Sequence, residues 1–168
     1  MNYFDLFDIP IQLQVDTQTL RTKFMQLSRL YHPDFYTHDT PEKQEDALQK
    51  SALLNKAWKV FQQPEETLAY VLALKGLLTE NEKYQLGSDF LMEMMEINEA
   101  ISEKDAAQLP ALKERLEKLQ QEIHSPVKDI IEQYQDGKTP VHDLLRVKEY
   151  YFQKKYLQRI HSSLGALE

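Results

Sequence analysis

Apolar residues recur every three or four positions along most of this chain, and the rhythm breaks at proline, glycine and short polar residues. A short aromatic segment, Tyr3-Phe4-Asp5-Leu6-Phe7-Asp8, is closed by Ile9-Pro10 and reads as one or two helical turns capping a core. Asp16 is placed to cap the next helix, whose inward face carries Leu20, Phe24, Leu27 and Tyr31 at steps of four, three and four. Pro33 stops that helix and pushes His32 away from helical angles. Thr40-Pro41-Glu42 then supplies a cap, a first-turn proline and a first-turn acid. The third helix shows Ala47, Leu54, Ala57, Trp58 and Phe61 on one side and ends near Gln62-Gln63-Pro64. Residues 65–75 form a further short helix that stops at Gly76.

Residues 77–88 mix polar residues with Gly87-Ser88 and mark the boundary of a second module, with Ser88 as the cap of its first helix. Three more helices are predicted, over 89–104, 109–136 and 140–164. Leu109, Leu112, Leu116, Leu119, Ile123 and Ile130 keep one seam through the second of these, while Ser125-Pro126 predicts a kink or a break with restart inside it. Thr139-Pro140 repeats the cap-plus-proline start. The pattern gives an all-α chain: a helical hairpin over 1–76, a linker over 77–88, and a three-helix bundle over 89–168.

Composition supports this. Leu, Lys, Glu, Gln and Ala are abundant among 168 residues, and 42% hydrophobic content is enough for a packed core. The formal charge of −7 argues against nucleic acid as the partner, since phosphate contacts need a concentrated basic surface. No apolar run reaches the roughly 18 residues of a membrane span. The start, Met1-Asn2-Tyr3-Phe4-Asp5, has neither the basic and apolar regions of a signal peptide nor the Arg-rich look of a transit peptide. There is no cysteine, so disulfides, thiolate metal sites and cysteine nucleophiles are excluded. These features lead to the expectation of a cytoplasmic protein.

The chemistry concentrates at His32-Pro33-Asp34, a tripeptide presented between two helices of the hairpin. At about 100° per residue, Arg21, Met25, Arg29 and His32 fall within roughly 80° of one another. This face is either a basic docking strip for an acidic partner or an ordinary solvated face. His32, Asp34, His38 and Asp39 also cluster within a few residues, which opens a metal reading, although they have no established ligand spacing. A helix C-terminal turn is the plainest account of His32 and Asp34.

The short aromatic start, the basic helix ending in Leu30-Tyr31-His32-Pro33-Asp34, and the helix holding Leu54-Asn55-Lys56-Ala57-Trp58 and Phe61 together resemble a J-domain. Gln62-Gln63-Pro64 and Tyr70 fit the tail of that pattern, and the resemblance covers roughly residues 1–75. Phe35 stands where many J-domains carry lysine, a departure that removes a positive charge beside the loop. The resemblance implies binding to the ATPase domain of a DnaK-class chaperone through His32, Pro33 and Asp34, with Arg21 and Arg29 beside them, and stimulation of ATP hydrolysis by that partner.

The helix from 89 carries two stripes. Phe90, Met94, Ile97 and Ile101 lie within about 60° and suit the bundle core. Leu91, Met92 and Met95 form another sector, edged by Glu96 and Glu99. Either the helix is buried on two sides, or it shows an exposed methionine-rich patch rimmed by carboxylates and suited to a protein partner. A J-domain followed by Phe-Leu-Met-Glu-x-x-Glu opening a three-helix bundle resembles the HscB co-chaperones of bacterial iron–sulfur cluster assembly over essentially the whole chain. That resemblance implies a bundle that binds the scaffold protein IscU and a J-domain that recruits the chaperone HscA. The family's scaffold-binding positions fall on Leu91, Met92, Met95, Glu96 and Glu99, and on Phe152 of the last helix, which also fits a core position. It further implies an adaptor rather than an enzyme, with no cofactor of its own. The other readings are a J-domain co-chaperone for a different client and a metal-dependent hydrolase, though no nucleophile–base pair or phosphate loop is visible in support of the latter.

Overall fold

The first helices begin where short polar side chains can take their free N–H groups. In this computed structural model, which describes residues 1–166, α1 (Tyr3–Phe7) opens on a reciprocal box. Asp5 N donates to Asn2 Oδ1 at 2.8 Å, and Asn2 N donates to Asp5 Oδ2 at 3.0 Å. In α2 (Thr17–Leu30), the Asp16 carboxylate accepts from the backbone of Gln18 and Thr19. A tight 3₁₀ turn, Pro33–Tyr36, comes next. Thr40 Oγ1 accepts from Lys43 N at the head of α3 (Pro41–Phe61). Helix α4 (Pro64–Leu74) starts on its own proline, and the chain turns away just past its end at Gly76, whose φ of 74° lies in the left-handed region that glycine tolerates.

Four expectations need correction in the second half. Ser88 is the first residue of α5 (Ser88–Ser102), not its cap; Gly87 holds that position without any side-chain bond. Helix α5 ends at Ser102, short of its predicted limit of 104. The helix expected over 109–136 breaks and restarts at Ser125-Pro126, as the proline there predicts, into α6 (Leu109–His124) and α7 (Lys128–Gln133); the expected end is what fails, since residues 134–136 lie outside both. Pro126 has no N–H to give and its ring collides with the carbonyl four residues back, so the chain turns at Ser125-Pro126 and restarts. Arg146 Nη2 donates to the Pro126 carbonyl at 3.2 Å. Finally, Thr139 does not cap α8 (Val141–Gly165). Its hydroxyl accepts from Gln135 N at 2.9 Å, closing the preceding turn instead.

Among the described residues all regular structure is helical, as the periodicity predicts. Two cores form. The second is the bundle core of α5, α6 and α8, built from Met94, Ile97, Leu112, Leu116, Leu119, Leu157, Ile160 and Leu164. The first gathers Phe4, Phe7, Leu13, Leu20, Leu54, Phe61, Val71 and Leu72 of the N-terminal hairpin together with Val127, Leu144, Val147 and Tyr150. Helix α8 therefore belongs to both: its first half closes the hairpin's core and its second half closes the bundle. Within the hairpin, Phe24 stacks on Trp58 at 4.7 Å and Tyr3 on Tyr70 at 4.2 Å.

The segment 77–88 lies packed along this junction. Leu77 and Leu78 rest against the first core and Leu86 is buried. Glu82 pairs with Lys148 of α8 at 2.6 Å, and Tyr84 stacks flat on Phe152 at 4.6 Å. The Lys148 ammonium holds the Glu82 carboxyl below the usual glutamate range. A second clasp joins Lys75, at the end of α4, to Asp136, and Tyr134 donates to that same carboxylate at 2.8 Å. Burial, reinforced by this bond, pushes the Tyr134 phenol up to about 12, while Lys75 holds Asp136 low.

Candidate partner-docking sites

The His32-Pro33-Asp34 loop is shaped by local bonds rather than by burial. Proline confines His32 to extended angles, φ −64° and ψ 127°. The imidazole then folds over the start of the 3₁₀ turn, where its Nδ1 accepts from Asp34 N at 3.2 Å. An acceptor at Nδ1 places the ring proton on Nε2, which points away from this bond as a free donor. The Asp34 carboxylate lies 3.6 Å from Nδ1, too far for a hydrogen bond, and its side chain is 85% exposed. The loop thus offers one donor and one carboxylate outward on a stiff frame.

That frame is tied to both helices. Tyr36 Oη donates to the Leu30 carbonyl at 2.8 Å, and Gln44 Nε2 of α3 donates to the Thr37 and Asp39 carbonyls at 3.1 and 3.2 Å. Phe35 is 71% exposed and sets its ring edge-on to His32 at 6.2 Å. Arg21 and Met25 are exposed on α2 and Arg29 lies beside them, and among the described residues neither arginine has a carboxylate within 4.0 Å. The three side chains of the strip are thus open to solvent, as is the Asp34 carboxylate of the loop. His38 and Asp39 do not join it into a ligand set: Asp39 faces Lys43 at 3.9 Å, and among the described residues no group of three or more His, Asp or Glu side chains is gathered to hold a metal.

The second surface lies on α5. Met94, Ile97 and Ile101 are buried in the bundle, whereas Met92 is 61% and Met95 67% exposed. This removes the reading in which α5 is buried on two sides. Leu91, Met95, Glu99, Met92 and Glu96 lie around an arc of about 140°. At one edge Leu91 lines a groove shared with Tyr84, Phe152 and Tyr156. At the other, Glu96 accepts from Arg115 of α6 at 3.0 Å, with Glu93 at 3.7 Å from the same guanidinium. Phe152 is half-buried and stacked on Tyr84, so it is neither core nor free. The sequence reading missed Tyr84 and Arg115. An aromatic residue alone in a polar segment was a signal for the first; nothing in helical periodicity points to a partner nineteen residues away for the second.

A stiff, exposed His-Pro-Asp loop at the end of a basic helix, on a hairpin joined through α8 to a three-helix bundle with an open apolar stripe, is the arrangement of a J-domain co-chaperone. Residues 86–165 match the family model described as the HSCB C-terminal oligomerisation domain. The fold matches the crystal structure of human co-chaperone protein HscB with a TM-score of 0.78 at 28% identity, covering 99% of this chain and 81% of that one. It also matches chaperone HscB from Vibrio cholerae with a TM-score of 0.73 at 24% identity, covering 99% of this chain and 96% of that one, a likeness of fold. Residues 86–165 are thus similar to that domain family, and the whole chain shares the fold of the human co-chaperone protein HscB.

Proposed function

We propose that this chain is an adaptor of iron–sulfur cluster assembly that binds an IscU-type scaffold protein and delivers it to an HscA-type chaperone, whose ATPase it stimulates. The observation that carries the reading is the division of α5: one face is buried in the bundle, and the other leaves Met92 and Met95 in solvent on a chain with the fold of HscB. Leu91, Met92, Met95, Glu96, Glu99 and Phe152 form the scaffold-docking face. His32, Pro33 and Asp34, with Arg21 and Arg29, form the chaperone-docking face. The loop performs no chemistry on ATP. It shifts the partner towards a hydrolysis-competent state by making better contacts with that state. Its outward donor and carboxylate suit a polar, charged pocket, and Asp34 suits a partner arginine.

Holding both partners on one body raises the effective concentration of scaffold at the chaperone. The chain acts without a cofactor, as a protein of the bacterial cytoplasm. The deciding experiment is the ATPase rate of the cognate HscA-type chaperone with this chain alone, with the scaffold alone, and with both. Stimulation by the chain alone, raised further by the scaffold, is the expected result. Stimulation indifferent to the scaffold would leave a J-domain co-chaperone for another client.

A further inference from the structure

The groove beside Leu91 differs in charge from the rest of this acidic chain. Tyr84, Leu91, Phe152 and Tyr156 form its aromatic and apolar walls, and Lys83, Lys155 and Arg159 line it as well. Glu82 is the one acid among its lining residues, and it is already taken by Lys148 at 2.6 Å and by the backbone N–H of Thr79 at 3.2 Å. Among the described residues, none of the three cations has a carboxylate within 4.0 Å. The Lys155 ammonium sits 5.6 Å over the Tyr151 ring. Three unpaired cations around an apolar floor, on a chain of formal charge −7, form a local field opposite in sign to the whole.

The groove is continuous with the exposed stripe of α5, because Leu91 belongs to both. Glu96 stands at the stripe's far edge, paired with Arg115, and Glu99 lies on the arc between Met95 and Met92. The combined surface is therefore bipolar: carboxylates interleaved with Met92 and Met95 on one side, cations around an aromatic cleft on the other. We infer that the groove between α5 and α8 receives an acidic, apolar-bearing segment of the scaffold protein, whose carboxylates meet Lys83, Lys155 and Arg159 while its apolar side chain rests on Tyr84 and Phe152. This rests on the scaffold-docking reading of α5 and extends it to residues on α8 and the 77–88 segment. A bipolar face also fixes the direction in which the partner lies, since the reversed pose sets like charges against each other.

The test is a calorimetric titration of the full chain with the cognate IscU-type scaffold in its cluster-free form, at low and high salt. Lys155→Glu with Arg159→Glu should weaken binding by about tenfold or more and flatten its salt dependence, because reversal replaces attraction by repulsion. Both residues are exposed, so circular dichroism should show an unchanged fold. Lys128→Glu, a reversal on exposed α7, should leave affinity unchanged. An affinity within about twofold of the parent in the double reversal, or an equal loss in the Lys128→Glu control, overturns the inference. Met92→Ala with Met95→Ala separates it from the reading beneath: loss there with no loss in the double reversal overturns the groove alone, and no loss in either overturns both. Binding of a single-stranded RNA oligonucleotide that the double reversal abolishes while scaffold affinity stays intact assigns the cations to nucleic acid and overturns the inference.

Discussion

His32 owes its pose to three neighbours in sequence. Pro33 fixes its backbone, Asp34 N binds its Nδ1, and the Phe35 ring stands beside it. None of these contacts belongs to a core, so the side chain can change without cost to folding. His32→Gln should leave the melting temperature within the range of a surface substitution, about 0.5 kcal/mol in stability. It should abolish stimulation of the chaperone ATPase, because an amide on a flexible stem does not hold a donor where the imidazole Nε2–H points. A well-folded His32→Gln chain that stimulates normally would remove the loop from the function. Local bonding of this kind was also legible in the sequence. Asp16 and Thr40 cap their helices as read, because each needs only the next two or three N–H groups. Thr139 departs from its expected role because the competing partner, Gln135 N, comes from the turn's geometry and leaves no mark in the local pattern, and Ser88 because the helix starts one residue earlier, behind Gly87.

Helix α5 sets its two faces to different work. Met94 is fully buried among Ile97, Leu116 and their neighbours, while Met92, two residues away, is exposed. Met94→Ala removes a buried side chain and should cost about 2–5 kcal/mol in a urea titration. Leu91→Ala, Met92→Ala and Met95→Ala combined should cost far less stability and should instead weaken scaffold binding, while the chaperone is still stimulated by the chain alone. A large loss of stability from the triple variant would show that the stripe supports the fold. The double stripe of α5 could be read because its two sectors are separated on the helical wheel. Helix α8 could not be read so cleanly. Leu144, Val147 and Tyr150 recur at the same three-to-four-residue rhythm as Leu157, Ile160 and Leu164, yet the first three pack on the hairpin and the last three on the bundle. Periodicity tells which face of a helix is inward; it carries no information about which neighbour the face meets.

The shared use of α8 decides how the molecule behaves as a whole. The polar composition of 77–88 marks a linker and leaves its rigidity open; in the structure Leu77, Leu78 and Leu86 pack inward, and Glu82 and Tyr84 grip α8 through Lys148 and Phe152. The hairpin's core is completed by residues far beyond its last helix in sequence. A hairpin that depends on α8 cannot swing freely, so the His-Pro-Asp loop and the apolar stripe of α5 keep a set relation, which the proposed adaptor needs if both partners are to be engaged at once. Trp58 gives a direct measure of this dependence. It is the chain's single tryptophan and stacks on Phe24 inside the hairpin, so its fluorescence reports the unfolding of that half. Leu144 belongs to α8 and is buried in the first core. Leu144→Ala leaves every hairpin residue in place and opens a cavity at the junction, at about 2–5 kcal/mol. If the first core is one cooperative unit, the Trp58 transition moves to lower denaturant together with the loss of helix seen by circular dichroism. A Trp58 transition that stays where it is in the parent chain, while the helical signal shifts, would mean that the hairpin is stable without α8 and that the set relation between the two surfaces is not built into the fold.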